Sequence, residues 1–399
     1  MNTRFTLAAA LVAAALALAA CGSPPGPSAN VKSTPTKPPP LPSKPVSLTV
    51  LDVSGDLIST KQLIQNFVKA KPGVVSNVKY LTADSPDLVG KVKAQQNAGN
   101  VDIDLVLTGN DGIAAGLKQD MWVKLFPNMA SALPKLQTLT PVARKFQPLG
   151  LDYGLVNRAG QNGPFLQYDP KQVSRPPATP QALLAWAKQN PNKFIYARPA
   201  NSGPGRTFLM ALPYLLHDSN PSDPVHGWSK TWAYLKQLGK YIRFYPSGTS
   251  DTVKMLGQGQ VAMIPSTTGF DIEGRADGIL PSDSPVAIFQ DQTWVTDGHF
   301  MSIPRGVDSG HLAATLALMR WIMRPDQQEL TYATGNTSPV VAAAKLSDAP
   351  PAGRSYMQKW ARPETYPKLF KQGQVVNPVA PDKLVAAFDI WDREIGSKR

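Results

Sequence analysis

From Val46 onward the chain alternates short apolar runs with amphipathic ones. VSLTVLDV (Val46–Val53) has the near-continuous apolar character of a buried strand and is ended by Ser54-Gly55-Asp56. LISTKQLIQNFVKA then places Leu57, Leu63, Ile64 and Phe67 at helical spacing and stops at Lys71-Pro72-Gly73. A second strand, SNVKYL, leads to a helix, DLVGKVKAQQNAG. A third strand, Val101–Leu107, runs into Thr108-Gly109-Asn110-Asp111-Gly112 and the helix IAAGLKQ. This β-α-β-α-β-α rhythm predicts an α/β fold with a mainly parallel sheet. In such sheets ligands sit beyond the carboxyl ends of the strands. Ser54, Gly55 and Asp56 fall there, as do Thr108, Asn110 and Asp111, and all are candidate ligand contacts. Helix capping and turn chemistry explain the same residues without a ligand.

A second α/β unit begins at GPFLQYDP (Gly163–Pro170). Thr179 and Pro180 suit the cap and first position of the helix QALLAWAKQ. A strand, KFIYAR, a loop, ANSGPGRT, and a helix, TFLMALPYLL, follow, and then the helix WSKTWAYLKQLG. YIRFYPSGTSDTVKMLGQGQVAMIPSTTGFD reads as strand, Ser/Thr-capped helix, glycine turn and strand. Thr249 and Ser250 at that helix start, and Thr267 and Thr268 after the strand, are further candidate contacts. β character returns at TWVTDGHFMSIP. Leu312, Leu316, Met319 and Met323 form one stripe of a long amphipathic helix, and PDKLVAAFDIWDREIG supplies a closing one. Tyr153, Trp294 and Asp297 suit stacking on, or pairing with, an organic cation, although aromatic residues are more commonly core.

The loop Ala200–Thr207 matches the spacing of the phosphate-loop pattern G-x-x-x-x-G-K-[ST], with Ala200 for the first Gly and Arg206 for the Lys. An ATPase also needs an Asp beyond a hydrophobic strand to hold Mg²⁺, and no residue downstream of Thr207 fills that role. The loop reads instead as a helix start with free N–H groups. Gly203 and Gly205 permit close backbone approach, Ser202 and Thr207 offer hydroxyls, and Arg206 offers a bidentate clamp for a carboxylate or phosphate. The alternative is a plain turn whose Arg faces solvent or a nearby Asp.

The N-terminus predicts export. Arg4 precedes an apolar stretch of 16 residues, Phe5–Ala20, too short to span a membrane, and Leu18-Ala19-Ala20-Cys21 resembles a bacterial lipobox. Cys21, the one Cys of the chain, is thus the predicted lipidation site, which leaves no thiol for disulfides, metals or nucleophilic chemistry. Residues 22–45 hold nine prolines and read as a semi-extended tether reaching roughly 70 Å. The net charge of +13 is dispersed, without an aromatic-interleaved basic stripe, so it suggests affinity for anionic envelope surfaces and no nucleic-acid partner.

The order of these segments resembles the type II periplasmic solute-binding proteins, the extracytoplasmic receptors of ABC importers. PPATPQALLAWAKQNPNKFIYARPANSGPGRTF is similar to the segment where a Pro/Thr-started helix leads into a strand and a binding loop. MLGQGQVAMIPS, HFMSIPRGVDSGHLAATLALMRWIMRPDQQ and GNTSPV resemble later family segments. Within the family the YnjB-like group, near the thiamine, polyamine and iron binders, is the nearest resemblance. The likeness covers about Val46 to Gly396. It implies a two-lobe architecture with mixed, mainly parallel sheets and a helical C-terminus. Residues 1–20 would be signal, 21–45 lipidated Cys and tether, 46–160 and 293–345 lobe one, 164–292 lobe two, and 346–399 the C-terminal helical segment. It further implies a monomer, without cofactor or metal, that binds a small solute and meets ABC permease subunits while lipid-anchored to the envelope. Helix starts and Arg206 favour an anionic solute, whereas Asp56, Asp111, Asp152 and Asp297 favour a cation such as thiamine or a polyamine. Adjacent tyrosines of the kind that hold ferric iron are absent.

Two other classes compete. A hydrolase is disfavoured because His217, His226, His299 and His311 lack metal-ligand spacing and no G-x-S-x-G occurs. Ser76 and Lys79 fit S-x-x-K, but in a strand they point to opposite faces. An anchored scaffold with an empty cleft is the third.

Overall fold

The computed structural model describes residues 34–84, 87–334 and 339–398. The predicted signal and Cys21 lie outside these residues.

The first unit runs β1 (Val46–Asp52), α1 (Leu57–Ala70), β2 (Val75–Thr82), α2 (Leu88–Asn97), β3 (Leu105–Thr108) and α3 (Asn110–Lys118). β1 lies between β2 and β3 and pairs parallel with both. Its side chains alternate between two apolar layers: Leu48 and Val50 enter the larger, and Leu51, with Val53 just after the strand, the smaller. After α4 (Pro141–Phe146) comes β4 (Leu155–Gly163), which passes almost directly into β5 (Phe165–Tyr168) of a second sheet.

The second unit continues with α5 (Pro180–Gln189), α6 (Gly203–Leu215), α7 (Ser229–Gly239), α8 (Thr249–Gly257), β6 (Met263–Ser266), α9 (Thr268–Ala276) and β7 (Val286–Ala287). Thr179 caps α5 as expected, accepting from the Ala182 N–H at 3.0 Å, with Pro180 at the first turn. β5 pairs antiparallel with β6 and β7. KFIYAR and YIRFYPS, both expected as strands, form none. The first keeps one bridge, Phe194 to Met263, because Phe194 and Tyr196 pack onto Phe208 and Pro199 ends the run. The third strand begins at Leu105, four residues later than expected.

β8 (Thr293–Ser302) then returns to the first sheet, pairing antiparallel with β3 and β4. β4 and β8 are thus the two crossings between sheets, and the two largest apolar cores, one per sheet, are separate. The chain ends with α10 (Ser309–Ile322), α11 (Pro325–Gln328), α12 (Pro351–Trp360), α13 (Tyr366–Leu369), β9 (Gln374–Val376) and α14 (Pro381–Glu394). β9 adds to the first sheet beside β8, while α14 sends Leu384, Ala387, Phe388 and Trp391 into the second core and also meets α3. Asp271 of α9, fully buried, ties this tail to the second lobe. It accepts from Gln167, from Arg275 and Arg362 in two bonds each, and from the Tyr366 hydroxyl.

The described part of the tether, residues 34–45, is irregular yet half-buried at Thr34, Pro35, Pro38, Pro39 and Pro42. Pro42 lies against Gly310 at the start of α10. That part is seated on the first lobe rather than standing free.

Candidate functional site

A cleft of about 410 Å³ opens between the lobes, within the roughly 300–1,000 Å³ usual for small-molecule sites. The first lobe contributes Val53, Ser54, Gly55, Ile58, Asp84, Gly109 and Asp111. The second contributes Ala200–Gly203, Arg206, Thr249, Ser250, Thr267, Gly269, Phe270 and Glu273. The crossing strands supply Arg158, Asn162, Asp297, Gly298 and His299, and Thr334 closes one edge. Five helices, α1, α3, α6, α8 and α9, begin at this lining, so the positive ends of five helix dipoles face one space. Ile58 and Phe270 add apolar surface.

The loop ANSGPGRT opens α6 here. Ser202 caps it, accepting from the Gly205 N–H at 3.0 Å, and its hydroxyl pairs with that of Thr249 at 2.7 Å. The guanidinium of Arg206, expected to clamp an anionic solute, is instead engaged by the protein itself. Nη2 donates to both carboxylate oxygens of Asp297 at 2.9 and 3.0 Å, and Asp111 adds a second negative charge nearby. The nearby-Asp alternative describes its surroundings. Gly203 is what lets Asp297 reach the helix end, since a Cβ there would lie 3.0 Å from its Oδ2.

His299 and Asp56 form a second buried pair, Nδ1 to Oδ1 at 2.7 Å, with Asn157 donating to the other oxygen of Asp56 at 2.9 Å. Burial alone would lower the His299 pKa, but the charge and hydrogen bond of Asp56 hold it above the ordinary value. Burial would raise that of Asp56, and the attraction of His299, with Arg158 and Asn157, holds it below. Burial and the charge of Asp277 raise Glu273, against the opposing pull of Arg158.

Of the expected contacts, Ser54, Gly55, Asp111, Ser202, Gly203, Arg206, Thr249, Ser250, Thr267 and Asp297 come together in the lining. The others lie elsewhere. Asp56 sits behind His299, and Thr108, at the end of β3, and Asn110, at the start of α3, are both buried. Gly205 packs on the Ala197 carbonyl, and the Thr207 hydroxyl donates to the Pro204 carbonyl at 3.2 Å. Thr268 turns toward Asn162. Trp294 is core, its Nε1 donating to the Gln372 carbonyl at 2.8 Å, and Tyr153 packs against the small core of the first lobe. Arg158, Asn162, Phe270, Glu273 and His299 were not anticipated. A bulge in β4 between Val156 and Arg158 breaks the alternation that would have signalled the first of these. Among the described residues no group of three His, Cys, Asp or Glu side chains is placed to hold a metal ion, and no helix is long and apolar enough to cross a membrane.

A cleft between two α/β lobes joined by crossing strands, rimmed by helix starts, defines a binding protein for small solutes. The profile of the bacterial extracellular solute-binding proteins matches residues 62–376, and the chain belongs to that family. It is similar to Protein YnjB of Escherichia coli (strain K12), 25% identical over 273 residues that span 62% of this chain and 66% of that relative. The fold is that of an ABC transporter substrate-binding protein from Bradyrhizobium japonicum USDA 110, with TM-score 0.63, 16% identity and coverage of 88% and 99% of the two chains. It is likewise that of PotD, a spermidine/putrescine ABC transporter substrate-binding protein of Streptococcus pneumoniae, with TM-score 0.60, 16% identity and coverage of 88% and 98%. The family and the mixed α/β fold read from the sequence are borne out, but the sheets are not mainly parallel. Among the described strands three pairings are parallel and four antiparallel, because β8 returns against β3 and β4 and the second sheet is antiparallel. The family binds solutes rather than transforming them, which leaves the hydrolase reading without support.

Proposed function

We propose that the chain is the receptor of an ABC importer, tethered to the cell envelope through lipid on Cys21, that captures one small solute between its lobes and delivers it to a permease. The observation that carries this reading is the cleft, where helix starts from both lobes and polar groups of both crossing strands converge on one space of small-molecule size. Ser54, Gly55, Asp111, Ser202, Gly203, Thr249, Ser250 and Thr267 are the proposed contacts, and Arg206 with Asp297 the proposed strut of the cleft wall. Five positive helix ends favour an anionic group on the solute. The carboxylates of Asp84, Asp111 and Glu273 favour a cationic group on the same molecule, so a zwitterion or a phosphorylated base suits the whole lining better than a polyamine alone.

A thermal-shift panel on the purified protein tests this, with thiamine and its phosphates, amino acids, polyamines, sugars and simple oxyanions. A true ligand raises stability as RT ln(1 + [L]/Kd), about 2.7 kcal/mol at a hundredfold excess over Kd. Silence from every compound with the protein folded would contradict the receptor reading and favour the scaffold.

A further inference from the structure

Three cationic side chains line the cleft, and two have their charge met: Arg206 by Asp297 and His299 by Asp56. The guanidinium of Arg158 makes no hydrogen bond or ion pair among the described residues. Asp56 and Glu273 attract it through space without bonding to it.

The setting of Arg158 is unfavourable for a bare cation. Arg158 and His299 are register partners across β4 and β8, so both side chains leave the same face. Like charges opposite one another across strands repel. The guanidinium also rests over Gly269, where a Cβ would lie 3.2 Å from Nη2. Gly269 is the second residue of α9, so the cation sits at the positive end of a helix. Three of the other four helix starts in the cleft already have a carboxylate. Asp52 accepts from the Leu57 N–H at α1, Asp111 folds over Gly109 at α3, and Asp297 reaches Gly203 at α6. The acidic residue of α9's first turn, Asp271, is committed to Arg275 and Arg362 on the far side. Three positive sources therefore meet at one spot with no protein carboxylate bonded between them. The Nδ1 of His299 is held by Asp56, and its Nε2 has no partner among the described residues.

We propose that Arg158, with His299 Nε2 and the first turn of α9, holds an oxyanion of the bound solute, a carboxylate or a phosphate group. This rests on the receptor reading and moves the anion contact from Arg206 to Arg158. Arg158 donates in plane to two oxygens, the α9 N–H groups supply further donors, and the oxyanion relieves the repulsion between the two side chains.

The test is titration calorimetry of the full-length protein at fixed ionic strength with inorganic phosphate, acetate and glutamate, and with putrescine as a cation lacking an oxyanion. Binding of the oxyanion probes is expected to weaken roughly ten- to hundredfold in Arg158→Gln, the worth of one or two charge-assisted hydrogen bonds, and less in Arg158→Lys. Without solute, Arg158→Gln is expected to melt close to the wild type, because the repulsion from His299 is removed together with the attraction of Asp56 and Glu273; a purely structural Arg would be missed. Preference for phosphate identifies a phosphorylated solute, and preference for acetate or glutamate a carboxylic acid. Equal affinity in wild type and Arg158→Gln, or binding of putrescine alone, would overturn the assignment and leave the receptor reading standing. Failure of these probes and of the whole solute panel to bind would overturn both.

Discussion

Replacing Arg206 by Met decides whether that side chain is a strut of the cleft wall or a clamp on the solute. Arg206 is 7% exposed and gives two hydrogen bonds, at 2.9 and 3.0 Å, to Asp297, whose side chain is 14% exposed. Removing one member of a buried pair leaves the other charged and uncompensated, at a cost of about 3–5 kcal/mol. Asp297 keeps the Gly298 N–H at 3.1 Å and borders the cleft, so the lower end of that range, about 3 kcal/mol, applies. Asp111 loses the same counter-charge. Adding Asp297→Asn removes the stranded carboxylate and is expected to restore most of the loss. Urea unfolding of the four proteins, extrapolated linearly, gives the coupling directly. A loss below about 1 kcal/mol in Arg206→Met, or a coupling near zero, would refute the strut. A larger loss of oxyanion affinity in Arg206→Met than in Arg158→Gln would return the anion to Arg206.

Three further outcomes are expected. The Asp56–His299 pair contributes its full stability between the ordinary carboxylate and imidazole values, about 4 and 6.5. Stability is lost as pH rises through the raised value of His299, which faces Asp56, Arg158 and Asp297, and as pH falls through the lowered value of Asp56; melting temperatures against pH should show an alkaline decline that His299→Gln flattens. Asp271→Asn leaves two guanidinium groups facing each other in a buried site and should cost about 3–5 kcal/mol in chemical unfolding, where a cost under about 1 kcal/mol would mean the tail is held elsewhere. Gly269→Ala should keep or raise stability by up to about 1 kcal/mol, as Ala does in a helix, while weakening oxyanion binding because its Cβ crowds Arg158; unchanged affinity would speak against the position of Arg158.

The sequence carried the fold further than the site. The apolar run of β1, the helical stripe of α1 and the Thr179-Pro180 start of α5 follow from local periodicity and capping, and the structure places them as expected. KFIYAR has strand composition but spends its aromatic side chains on the second core, so propensity misled. Helix starts such as Ser202 and Thr249 reach the cleft because each follows a segment ending at the lobe face, which chain order reveals. Partnership does not show in one dimension. Arg206 and Asp297 are 91 residues apart and Asp56 and His299 are 243 apart, so nothing local told which charges would cancel. Arg158 was hidden by the β4 bulge, and Trp294 looked available only because its Gln372 partner was invisible.

Capture of a solute between the lobes is tested most directly by titrating the compound that gives the largest thermal shift against the wild type and Ser250→Trp. Ser250 lines the cleft and is exposed, so the indole fills the space without disturbing a core. One solute per chain in the wild type and none in Ser250→Trp, with equal melting temperatures before solute is added, is the predicted result. Unchanged binding in Ser250→Trp would place the solute elsewhere and contradict the cleft as the site of capture.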